Sequence, residues 1–94
     1  MPREAAFCAH RRAVEAGGRR MEYTLTGAVS GGVLFYGIEV RMSAGETLER
    51  AELCELTSDR ALAVAILEAM CRGAVTPCAA AGVAEDMLAE SAMR

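Results

Sequence analysis

The side chains in this 94-residue chain with the most chemical potential are four cysteines (Cys8, Cys54, Cys71, Cys78), one histidine (His10) and a series of acids. Cys8 and His10 in "CAH", together with Cys71 and Cys78, are of the right types to hold a zinc ion. A zinc site is normally announced by closely spaced cysteine pairs, and no CxxC is present. Small thiols without a metal are therefore expected. Cys78 follows Pro77 at the start of a helical stretch, where the helix dipole favours a thiolate. A nucleophile also needs a base, and His10 lies far away in the sequence. No catalytic residue, no metal and no cofactor is expected.

Three other patterns invite chemical readings. "GAVSGGV" (27–33) has the glycines of a phosphate cradle, but it leads into a strand and offers no helix N-terminus to an anion; a hairpin turn is the expectation. Glu85 and Asp86 are adjacent on a helix and cannot converge on one point, and Glu46, Glu49, Glu52 and Glu55 lack the spaced Asp/Asn loop of a calcium site. They read as a solvated acidic face. The N-terminal lead carries Phe7 and Arg3, Arg11, Arg12, Arg19 and Arg20 against Glu4 and Glu15, a net of +3, whereas residues 21–94 carry −6, giving −3 for the chain. An acidic body repels nucleic acid, so nucleic acid is not an expected partner.

At this length one domain with a thin core is expected. The chain is 53% hydrophobic and 24% charged, a globular composition, but much of the apolar share is alanine, which buries little area. Self-association would add to a modest stability margin. All ten basic residues are arginine, which reads as compositional bias. No apolar signal region precedes Arg11 and Arg12, and the uncharged run Thr24–Ile38 is too short and glycine-rich to cross a bilayer. A cytoplasmic location, no membrane partner and reduced thiols are the corresponding expectations.

The elements that position these residues follow from periodicity. "PREAAFCAHRRAVEA" (2–16) has helix formers and ends at Gly17 and Gly18, giving a basic N-terminal arm or short helix over 1–20. From residue 21 the period is two: Tyr23, Leu25 and Val29 share a face, Thr24 and Thr26 the other. After "SGG", Leu34, Tyr36, Ile38, Val40 and Met42 point one way and Phe35, Glu39 and Arg41 the other, completing a hairpin. "TLERAELCEL" is a third strand with Ala51 and Leu53 inward, and Leu56 breaks its alternation, a sign of a bulge or of the end of the strand. Thr57 or Ser58 caps a helix in which Leu62, Ala65, Ile66, Ala69 and Met70 form an apolar stripe widened by Val64, Leu67 and Cys71, ending at Gly73. Thr76 and Pro77 open a second helix, with Ala80, Val83, Ala84, Met87 and Leu88 inward and Gly82 explained by a close helix contact. The expected architecture is α+β: a three-stranded antiparallel meander and a two-helix hairpin on one sheet face, as a single domain over 21–94.

The order Tyr-Gly-Ile at 36–38, "ELCELTSD" at 52–59, a helix, and a Pro-started helix ending in "VAEDMLAE" at 83–90 resembles a family of short uncharacterised proteins from Firmicutes, chiefly clostridia, a domain of unknown function. The resemblance covers about residues 21–90 and departs from the family pattern at Leu56, at "PCAAAG" and at Met87. It implies no active site.

With both helices on one side, Phe35, Thr24, Thr26, Glu39, Arg41, Glu52 and Cys54 line the other. A small sheet with an aromatic on its open face can pair with a second copy or a partner. The expected function is a non-enzymatic protein-interaction module, self-associating as a homodimer, with Phe35, Glu39, Arg41, Glu52 and Cys54 as contact residues. The alternative from another class is a phage or mobile-element inhibitor, anti-CRISPR-like, whose acidic surface blocks a host nuclease.

Overall fold

A computed structural model describes residues 10–93. The order is β1 (Arg11–Ala16), β2 (Arg19–Ser30), β3 (Val33–Ala44), β4 (Thr47–Thr57), α1 (Arg60–Arg72) and α2 (Pro77–Ala92). The strands form one antiparallel sheet in the order β1-β2-β3-β4, and both helices cover the same face.

The expectation of three strands is thus corrected to four. Residues 11–16, assigned to an N-terminal helix or arm, pair with β2 from Arg11 opposite Thr24 to Ala16 opposite Arg19. Residues 2–9 of that expected helix lie outside the described residues. Gly17 and Gly18 do not end a helix; both have positive φ and form the two-residue turn of the β1-β2 hairpin. Gly31 and Gly32 do the same between Ser30 and Val33, matching the turn type whose twist suits antiparallel strands. The division at residue 20 falls inside β2.

The core sits where the alternation places it. Met21, Tyr23 and Leu25 of β2 stand opposite Met42, Val40 and Ile38 of β3, all buried. Above them lie Ala63, Ile66, Leu67 and Met70 of α1 at helical spacing, each wholly buried, with Cys71 beside them. The buried stripe is rotated from the expected one: Ala65 is exposed and Ala63 inside. Each large side chain so buried contributes about 1.5–3 kcal/mol. The second helix adds the small residues Ala80 and Ala84, with Pro77 also buried and Val83, Met87 and Leu88 partly buried.

The helix ends explain how the two layers join. Asp59 itself is the N-cap of α1, its carboxylate accepting from the backbone N–H of Ala61 at 3.0 Å and of Leu62 at 3.3 Å. Thr57 Oγ1 in turn accepts from Asp59 N–H. At the other end Gly73 is the C-cap, but the left-handed residue is Ala74 (φ 48°). Val75 N–H reaches Met70 O at 3.0 Å and Ala74 N–H reaches Cys71 O at 3.1 Å, the paired bonds of a Schellman ending. The reversed chain aims Val75 O at the sheet, where the Tyr23 hydroxyl donates to it at 2.7 Å. Burial, and then the nearby Cys71 thiol, push the Tyr23 pKa up to about 12.

Two glycines give opposite predictions. A Cβ on Gly37 would stand 2.2 Å from Leu53 O and 2.9 Å from Thr26 Oγ1, so β4 would have to lift off β3. Gly37→Ala is expected to destabilise by about 1–3 kcal/mol, read by urea unfolding. Gly82 was expected to mark a close helix contact, yet a Cβ there meets nothing within 4 Å. Gly82→Ala therefore removes only the helix cost of glycine and should stabilise by about 0.5–1 kcal/mol in the same assay; a loss would mean the position is packed after all.

Candidate functional site: the uncovered sheet face

The residues that alternate outward from the core define a face that no helix covers. From β1 to β4, Arg11, Thr24, Glu39 and Glu52 form one row across it, and Ala13, Glu22, Arg41 and Arg50 form the next. A third row runs Glu15, Arg20, Ser43, Leu48. Glutamates and arginines thus sit side by side, and they pair. Glu39 accepts from Arg41 Nε at 3.4 Å and from Arg50 Nε; Arg50 also reaches Glu52 at 3.0 Å. Arg20 holds Glu22 at 3.2 Å and Glu15 at 3.3 Å. Partial burial disfavours the Glu39 carboxylate, but the hydrogen bonds and charges of Arg50 and Arg41 outweigh it and hold its pKa below the ordinary glutamate value.

The five expected contact residues all belong to this side of the sheet or to the bulge that borders it. Phe35, Glu52 and Cys54 line one depression of about 270 Å³ together with Thr26, Ala28, Gly37 and Glu55. Arg41 belongs to a second depression of about 320 Å³ with Arg20, Glu22, Leu48 and Arg50. Glu39 links the two through its arginines. The first depression is shaped by an irregularity in β4. Tyr36 pairs with Thr57 and Ile38 with Leu53, so three residues of β4, Cys54 to Leu56, oppose Gly37 alone. Glu55 takes a left-handed φ of 52° there. Of the two readings of the break in alternation at Leu56, a bulge or the end of the strand, the structure has the bulge, with β4 running on to Thr57; that it would open a depression beside Phe35 was not legible, because it depends on Gly37 admitting Leu53 O.

A second polar cluster was missed by sequence reasoning. His10 Nε2 lies 2.7 Å from Glu68 Oε2, and Arg12 Nη1 donates to both Glu68 oxygens at 2.8 and 3.0 Å. It ties the first strand to α1. The hydrogen bond to His10, followed by the Arg12 charge, holds the Glu68 carboxyl below its ordinary pKa despite some desolvation. Of the four side chains with the types of a zinc set, His10 faces Glu68, Cys71 is buried on α1, Cys78 is exposed on α2, and Cys8 lies outside the described residues. Among the described residues no three His, Cys, Asp or Glu side chains could hold a metal ion. No helix among them is long and apolar enough to cross a membrane.

The chain belongs to a family of unknown function, DUF6514, whose model matches residues 6–90. The match begins earlier than the expected residue 21 and takes in the whole of β1. No curated protein and no solved structure matches the chain.

The two carboxyls held down by partners predict an acid limb of stability. Their folded pKa values lie below the unfolded glutamate value, so the unfolded chain binds more protons as pH falls. Their contribution is full above about 4.5, the ordinary glutamate value. It is lost as pH falls through the lowered values. Urea unfolding at pH 7 and pH 3 should show Glu39→Gln/Glu68→Gln less stable than the unsubstituted chain at pH 7 and close to it at pH 3. An equal deficit at both would contradict the assignment.

Proposed function

We propose that this protein is a non-enzymatic protein-interaction module that self-associates and presents the uncovered sheet face to a protein partner. In this reading the chain is bacterial, as its resemblance to proteins of Firmicutes, chiefly clostridia, implies, and it acts in the cytoplasm. The observation that carries the proposal is the one-sidedness of the sheet: two helices and the whole apolar core occupy one face, and the other carries Phe35, Glu39, Arg41, Glu52 and Cys54 with two shallow depressions and no helix over them.

The chemistry of that face favours docking over turnover. Glu15, Arg20, Glu22, Glu39, Arg41, Arg50 and Glu52 of that face are committed to each other in ion pairs, and the histidine and the described cysteines stand on separate elements. A nucleophile with a base in reach is not assembled among the described residues. The bulge depression offers the half-buried Phe35 ring beside an exposed thiol and two carboxylates, Glu52 and Glu55. An apolar anchor rimmed by acids suits a partner segment with an apolar side chain flanked by basic residues.

The test has two readouts. Light scattering over a concentration range should give a mass rising above the 9.9 kDa of one chain; a constant single-chain mass would remove the self-association. Affinity capture from the native host, run in parallel with Phe35→Glu, should retain proteins that the variant loses. If both retain the same proteins, the open face is not the docking surface.

A further inference from the structure

We infer that self-association runs through the free edge of β1, as an antiparallel pairing of β1 with β1 of a second copy centred on Ala13. The inference rests on the self-association reading above and names its surface.

The direction of the backbone groups selects the residues. His10 and Leu25 are directly opposite in the β1-β2 register, and Leu25 N–H donates to His10 O at 3.0 Å. In an antiparallel ladder the bonded and non-bonded pairs alternate. Arg12, Val14 and Ala16 therefore turn their backbone groups toward β2, and Arg11, Ala13 and Glu15 turn theirs outward. Among the described residues nothing pairs with that side of β1. An unpaired edge of this kind is a template for another strand unless something blunts it, and β1 has neither proline nor bulge.

Charge selects the register. Two copies related by a twofold axis perpendicular to the sheet keep their helices on one side and their open faces on the other. With Ala13 opposite Ala13 of the second copy, Arg11 stands opposite Glu15, and by symmetry Glu15 opposite Arg11. All three outward-turned residues then find bonded partners, and both charge pairs lie on the open face, to which Arg11 and Glu15 belong. The added pair extends a row already alternating in sign, since Arg20 holds Glu15. Arg12, whose charge would otherwise meet Val14, is bound to Glu68. The opposite edge is less suited: the bulge at Cys54–Leu56 interrupts β4, which blunts an edge against further pairing, and its one arginine, Arg50, is already bound to Glu39 and Glu52 of its own chain. The product is one continuous eight-stranded sheet with both interaction faces on the same side.

The test uses variants confined to the free edge. Ala13→Pro deletes an N–H that β2 does not use, and Glu15→Arg places arginine opposite Arg11 twice. Both should weaken the dimer about tenfold or more by light scattering and analytical ultracentrifugation, with circular dichroism unchanged. The charge-swapped double variant Arg11→Glu/Glu15→Arg restores opposite signs across the axis and should regain the dimer. Should Ala13→Pro fail to fold, the two charge variants decide alone. A chain that stays monomeric at every concentration sinks the self-association reading and this inference together. A dimer indifferent to Glu15→Arg and not rescued by the swap sinks only the β1 edge.

Discussion

Tyr23 is the point at which the two layers are fixed to each other. Its ring is wholly buried in the middle of β2, opposite Val40, and its hydroxyl donates to the carbonyl of Val75 in the turn between the helices. A buried hydroxyl without a partner would cost about 1–3 kcal/mol, so the position of that turn is not free. The turn is placed by the Schellman ending of α1, which bends the chain at Ala74 and brings Val75 back over the sheet. With the interhelix turn pinned at the centre of the sheet, α1 lies over β2 and its neighbours and α2 over β3 and β4. The layer assignment follows, and with it the side left open.

The inner and outer faces of β2 and β3 were legible because a covered sheet face imposes strict alternation over many residues, and a one-residue slip would turn Glu22, Glu39 and Arg41 inward in place of Tyr23, Ile38 and Val40. The first strand was illegible for the converse reason. Within "RRAVEA" only Val14 touches the core, as befits an edge strand, so alternation has one apolar residue to report it. Gly-Gly is also an ambiguous sign: it serves as a helix stop or as a hairpin turn, and only the pairing of Val14 with Met21 across it decides between them. The Glu68 clasp was hidden in the same way, since it joins groups separated by 58 and 56 residues.

The helices show where periodicity stops being enough. In α1 almost every position is apolar, so several stripes satisfy the spacing, and the phase is set by the Asp59 cap and by which residues face Tyr23, not by composition. Alanine widens the ambiguity: Ala63 is buried and Ala65 exposed, with identical side chains. Gly73 and Gly82 mislead in complementary ways. The left-handed residue that ends α1 is Ala74, one position past the glycine, where an L side chain strains the backbone by about 1–2 kcal/mol. At Gly82 the backbone is ordinary and the space around it empty.

The open face carries a constraint on any partner. From Glu15 and Arg20 to Arg50 and Glu52 its glutamates and arginines already satisfy each other, and exposed pairs of this kind contribute little stability, typically below about 1 kcal/mol each. A partner that displaced them would exchange one set of charge contacts for another with small net gain. The surfaces that can add free energy are those where something is unmatched. One is the bulge depression, where the half-buried Phe35 ring borders solvent; the other is the free edge of β1, where three alternate residues, Arg11, Ala13 and Glu15, turn both backbone groups away from β2. These two are at opposite edges of the same face, so occupation of one leaves the other accessible. A twofold pairing through β1 would also set two bulge depressions on one side of a single sheet, where a partner with two suitable segments gains from the second contact without any new chemistry.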